Sequence, residues 1–127
     1  MAKASTIEIA VRSFYLPDHS QPDLRRYMFG YTISITNNGQ SSAQLLDRHW
    51  TITDALGRVQ EVDGQGVVGK QPVIAPGQTY EYSSGCPLAT PYGYMQGSYG
   101  MVSESGERFS VEVPMFVLGK PDKRTLN

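Results

Sequence analysis

Gly64, Gly66, Gly69 and Lys70 stand at a spacing that phosphate chemistry uses. Gly64-Gln65-Gly66-Val67-Val68-Gly69 satisfies G-x-G-x-x-G, and with Lys70 it meets most of a phosphate loop, G-x-x-x-x-G-K. Gln71 stands where a serine or threonine would ligate magnesium. Both patterns work by holding phosphate on backbone N–H groups at the start of a helix. Here Val67 and Val68 favour strand, and Pro72 blocks a helix after the last glycine. The residues therefore predict a tight, glycine-requiring loop. The second reading is a weak anion site, in which Lys70 and a nest of backbone amides hold pyrophosphate, a nucleotide or a dinucleoside polyphosphate.

The other reactive side chains are scattered. His49 follows Asp47 by two residues, with Asp54, Glu61 and Asp63 further on. An imidazole ligates metals and titrates near neutrality. Zinc needs three or four such ligands and magnesium several oxygens, and no second histidine stands at ligand spacing. His49 is expected to be hydrogen-bonded on a sheet face, and neither a metal site nor a resident cofactor is expected. Cys86, between Gly85 and Pro87, lacks a recognisable base in a chain with only His19 and His49, so no catalytic residue is assigned. Trp50, the only tryptophan, reads as a core anchor, while Tyr92, Tyr94 and Tyr99 suit either an interface or sheet packing.

The elements that must position these residues are strands. Leu46, Trp50 and Ile52 share one face at spacing two, with Asp47, His49, Thr51 and Thr53 on the other and the stem of Arg48 lying along the sheet. Asp54-Ala55-Leu56-Gly57 turns the chain, and Val59 and Val62 return it, so the central object is a hairpin pinned by Trp50. Ile7, Ile9 and Val11 begin a first strand that carries on towards Tyr15 and Leu16. Pro17 to Pro22 reads as a loop in which proline denies both helix and ladder. Tyr27, Phe29, Tyr31, Ile33 and Ile35 give the longest alternation, closed by Asn37-Asn38-Gly39 through residues that accept positive φ. Thr79 to Ser83 and Met95 to Met101 read as strands, with an irregular loop between Gly85-Cys86-Pro87 and Pro91-Tyr92-Gly93. Phe109, Val111 and Val113 follow the Ser105-Gly106 turn, and Pro114 is expected to end that ladder.

No window sustains helical spacing, and turn signals recur about every ten residues. The fold class predicted is an all-β antiparallel sandwich, with a closed barrel as the competitor. A chain of 127 residues is one domain by its length, here residues 1–118, with residues 119–127 a polar, frayed tail. A net charge of -1 lacks the basic stripe that nucleic-acid binding needs. There is no apolar signal core and no run of the ~20 apolar residues that spans a bilayer. One cysteine fits a reducing compartment, so a cytoplasmic protein is expected.

Several segments carry a family resemblance. Tyr31-Thr32-Ile33-Ser34-Ile35-Thr36-Asn37, Arg48-His49-Trp50, the glycine cluster, Gln71-Pro72, Ser84-Gly85-Cys86-Pro87-Leu88 and Pro114-Met115-Phe116-Val117-Leu118 resemble the bacterial ApaG proteins, from about Thr6 to Leu118. Lys70 departs from the acidic residue more usual there. The resemblance implies a fold like fibronectin type III or immunoglobulin domains and no established enzymatic activity. It also implies a loose association with cobalt and magnesium efflux or resistance. Related domains in eukaryotic F-box proteins and in a DNA-polymerase-interacting protein look like protein-binding modules. The function expected is thus a non-enzymatic interaction module with an unidentified protein partner. Recognition would fall on the glycine cluster, the Cys86–Tyr94 loop and the edge strands. The alternative is the phosphate-binding loop.

Overall fold

The computed structural model describes residues 6–120, which form eight strands in two antiparallel sheets. The strands are β1 (Ile7–Tyr15), β2 (Tyr27–Asn37), β3 (Ala43–Asp54), β4 (Val59–Gln65), β5 (Val73–Ile74), β6 (Thr79–Leu88), β7 (Tyr92–Ser103) and β8 (Arg108–Gly119). One sheet has the order β1-β2-β6; the other runs β4-β3-β7-β8, with β5 pairing the start of β3. Two separate sheets make this a sandwich and not a closed barrel. Among the described residues no helix is long and apolar enough to cross a membrane.

The alternating residues of β2 form one wall of the core, with Phe29, Ile33 and Ile35 fully buried. Trp50 from the opposite sheet is 3% exposed and meets Tyr31, Tyr99 and Phe116 edge-on, with ring centroids 5.8, 6.0 and 5.9 Å away. Such contacts join both sheets through one side chain. The hydroxyls of Tyr82 and Tyr99 hydrogen-bond across the same interior.

Several expectations need correction. Leu46 does not share the face of Trp50. The register with β7 slips between Leu45 and Asp47, so Leu46 is the extra residue of a bulge and Leu45 takes the buried place. Cys86 is not in a loop: it lies in β6 opposite Phe29 and is buried, and the irregular connection shrinks to residues 89–91. Pro87 is tolerated because β6 is an edge strand. Pro114 does not end its ladder either. It lies within β8, another edge, where the register with β7 shifts between Met95 and Gly97. Pro17 and Pro22 each begin a single 3₁₀ turn, the first position at which a ring without N–H fits. The Asn37-Asn38-Gly39 turn works without positive φ. Instead, buried Asn37 donates to the carbonyls of Ser41 and Ile74 and accepts from the Gly39 amide. Strand β8 includes Gly119, and the Lys120 amide donates to Pro91. The rest of the expected tail, residues 121–127, lies outside the described residues.

The two flanks of the sandwich differ. On one, β1 lies against β8 and the Ser13 hydroxyl donates to the Val117 carbonyl at 2.6 Å. On the other, β6 and β4 leave a cleft between the sheets.

Candidate functional site

The glycine cluster is a hairpin end, not the start of a helix. Gly64 and Gln65 belong to β4, paired with Arg48 and Asp47. Val67 and Lys70 then exchange both backbone hydrogen bonds, 2.8 and 3.0 Å, across a two-residue tip in which Val68 (φ 47°) and Gly69 (φ 76°) are left-handed. Positive φ at both central positions is the tight-hairpin geometry. Each glycine has its own reason. A Cβ on Gly64 would stand 2.6–2.7 Å from the Arg48 guanidinium; on Gly66 (φ 65°) it would strike the Lys70 carbonyl; Gly69 sits in open space and serves φ alone.

The amides of Gly66, Val67 and Lys70 are committed to protein carbonyls, that of Gly66 to Leu46 at 2.8 Å. The bulge at Leu46 thus has a purpose: its carbonyl also accepts from the Gln71 side chain at 2.9 Å, which ties the loop to β3. Arg48 Nη1 completes the tie by donating to the carbonyls of Gln65 and Gly66 at 3.1 and 2.8 Å.

The outer face of the larger sheet is the second candidate. Strand pairing sets transverse rows on it, and beyond the four that follow lies a fifth of Val73, Gln44, Val102 and Arg108. Val59, Thr53, Tyr94 and Val117 form one row; Glu61, Thr51 and Gln96 the next; Asp63, His49, Ser98 and Glu112 the third; Gln65, Asp47, Gly100 and Ser110 the last. Its first end is apolar, with Val59 62%, Val117 60% and neighbouring Tyr92 58% exposed. Further along, Asp47, Glu61, Asp63 and Glu112 surround a single histidine, with Arg108 bordering them.

His49 is hydrogen-bonded on this face, as its position predicted. Nδ1 lies 2.6 Å from Asp63 and Nε2 3.4 Å from Glu61. The bond to Asp63, reinforced by the charge of both carboxylates, raises the His49 pKa over the partial desolvation that opposes it. Among the described residues no group of three or more histidine, cysteine or acidic side chains could hold a metal ion. Asp54 is consumed by its own turn. It accepts from the amides of Leu56 and Arg58, at 2.9 and 3.0 Å, and from Arg58 Nε at 2.7 Å. Partial desolvation pushes its pKa up, but these bonds outweigh it and the net shift is downward. Burial pushes the Cys86 thiol up to about 11, away from the thiolate a nucleophile needs. Tyr99 packs in the core, whereas Tyr92 and Tyr94 lie on the outer face, so the three tyrosines divide between packing and surface.

Sequence reasoning missed the pairing of His49 with Asp63. Its signal lay in the hairpin: a five-residue connection, Asp54–Arg58, sets Thr53 opposite Val59 and therefore His49 opposite Asp63. Reading the turn one residue shorter hides that partnership.

Comparison with known proteins agrees with the fold. The ApaG domain model matches residues 17–103. Protein ApaG of Bradyrhizobium diazoefficiens is 57% identical over 122 residues, which cover 95% of this chain and 94% of that protein. Protein ApaG of Brucella abortus is 53% identical over the same shares. A crystal structure described as an ApaA protein of Bordetella pertussis superposes with a TM-score of 0.89 at 50% identity, covering 92% of this chain and 95% of that one. With a domain match over most of its length and relatives above half identity, this chain belongs to the ApaG domain family.

Proposed function

We propose that this protein is a non-enzymatic interaction module whose partner docks on the outer face of the β4-β3-β7-β8 sheet. The observation that carries the reading is the gradient across that face, from the Val59–Tyr94–Val117 row to the acidic band around His49. Apolar contact area with tyrosine supplies affinity, and a predominantly acidic band bordered by Arg108 supplies orientation. The partner chemistry that fits is a protein segment with apolar side chains at one end and basic ones at the other. On this reading the link to cobalt and magnesium efflux or resistance implied by the family resemblance runs through that partner. A reducing, cytoplasmic setting belongs to the same reading, on the strength of the single cysteine.

The phosphate reading ranks second. It keeps the tip amides of Val68 and Gly69 and the ammonium of Lys70, while the amides of Gly66, Val67 and Lys70 already have acceptors.

Quantitative capture of native partners separates the two. Wild type and Lys70→Glu should retain the same protein at the same level, and Val117→Arg should lose most of it. Equal retention by Val117→Arg, or turnover of a small substrate by the pure protein, would overturn the reading.

A further inference from the structure

β1, β6, β4 and β8 stand at the ends of the two strand orders, and three of these edges are interrupted or covered. β6 carries Pro87, β8 carries Pro114, and β1 lies against β8 on the closed flank. β4 has no proline, and its register with β3 is unbroken from Val59 to Gln65. The free N–H and C=O groups of such an edge are a template for another strand.

The hydrogen bonds at the two ends of the β3–β4 ladder fix which groups β4 leaves over. The Asp54 amide donates to the Arg58 carbonyl at 3.0 Å, and the Gly66 amide to the Leu46 carbonyl at 2.8 Å. Bonding alternates along an antiparallel pair, so Gln60, Val62 and Gly64 face β3. Val59, Glu61, Asp63 and Gln65 then turn their N–H and C=O groups away from the sheet. Arg48 Nη1 takes the Gln65 carbonyl and closes that end. No strand among the described residues pairs with the outward groups of Val59, Glu61 and Asp63. Beside them on the outer face lie the Glu61 and Asp63 side chains, 62% and 78% exposed. His49 and Thr51 meet only Oε1 of Glu61 and Oδ1 of Asp63, so the second oxygen of each carboxylate is uncommitted among the described residues. On the inner face, Gln60 and Val62 border the cleft between the sheets, whose walls include Ile52, Met95 and Pro87.

We infer that the free edge of β4 takes an extended segment of another protein as an added antiparallel strand, with basic residues opposite Glu61 and Asp63 and an apolar residue between them over the cleft. Main-chain bonds to Val59, Glu61 and Asp63 hold such a segment, and its alternate side chains select it. Antiparallel addition continues the pairing of both sheets. A second copy of this chain does not fit the edge. Two-fold self-pairing centred on Glu61 sets that carboxylate against itself, and centring on Val62 sets Glu61 against Asp63. The charges that repel a second copy attract lysine or arginine at the same positions. This contact lies beyond the docking on the outer face and does not depend on it.

The test titrates the ¹⁵N-labelled full chain to millimolar levels with the capped peptide Thr-Lys-Val-Lys-Leu-Thr, whose lysines fall opposite Asp63 and Glu61. The amides of Glu61 and Asp63 should shift saturably and exchange with solvent several-fold more slowly. N-methylation of both lysines, whose N–H groups face β4, should abolish binding, whereas N-methylation of the valine and leucine should leave it intact. Replacing both lysines by glutamate should weaken binding by about tenfold or more, because like charges then oppose across the strands. Val117→Arg should bind the peptide as wild type does, so failure of this edge and failure of the outer-face reading are separate results. Glu61 and Asp63 amides that stay unmoved overturn the proposal. So does equal binding by the two methylated peptides or by the glutamate peptide. Loss of binding in Val117→Arg would put the peptide on the face and overturn it as well.

Discussion

The glycine loop and the outer sheet face lie side by side along one hairpin, yet they are built for different ends. In the loop, glycine meets backbone demands: a seat for Arg48, clearance for the Lys70 carbonyl and a left-handed tip. On the face, it is the side chains that vary, from valine and tyrosine in one row to the carboxylates around His49. A pattern rich in glycine thus signals where the chain bends and what it avoids. A pattern of side chains in strand register signals what the surface can hold.

The largest perturbation should erase the distinction, because both regions hang from β3. Trp50→Ala removes the ring that joins the two sheets and should cost about 3–5 kcal/mol by urea unfolding. Next, the loop should discriminate between its own glycines. Gly66→Ala meets both a left-handed φ and the Lys70 carbonyl and should cost about 1–3 kcal/mol. Gly69→Ala meets φ alone and should cost about 1 kcal/mol. Equal costs would show that the carbonyl contact is unimportant. Val68→Asn should act in the opposite direction. A β-branched residue at φ 47° is strained, so asparagine should stabilise by about 1 kcal/mol while capture of a partner on the face is unchanged.

The smallest effect should come from the face itself. The folded pKa of His49 lies above its unfolded value, so its contribution to stability is fully present below about pH 6.5 and is lost as pH rises through the raised value. Unfolding curves for wild type and Asp63→Asn should therefore differ more at pH 6 than at pH 9. A difference that grows with pH would contradict the pairing.

Much of the fold was legible because its causes are local. Alternation at Tyr27–Ile35 and the turn at Gly106 each depend on residues within a few positions. What escaped depends on neighbours remote in sequence. The bulge at Leu46 exists to present a carbonyl to Gly66 and Gln71, and nothing between Gln44 and Trp50 reveals that. Pro87 and Pro114 read as strand breakers until β6 and β8 are known to be edges. Cys86, flanked by glycine and proline, looks like loop until Phe29 is set opposite it. Of the candidate sites, the glycine cluster was visible as a motif, whereas the rows of the outer face required strand register and the inter-sheet cleft required both sheets.

The account is tested most directly by mapping backbone amide shifts of the ¹⁵N-labelled chain when a captured partner is added. It predicts perturbations that follow the transverse rows through Thr51, Tyr94, Ser98 and Val117, with Gly66, Val68 and Lys70 unmoved. Shifts confined to Gly64–Lys70, with the sheet face silent, would contradict it.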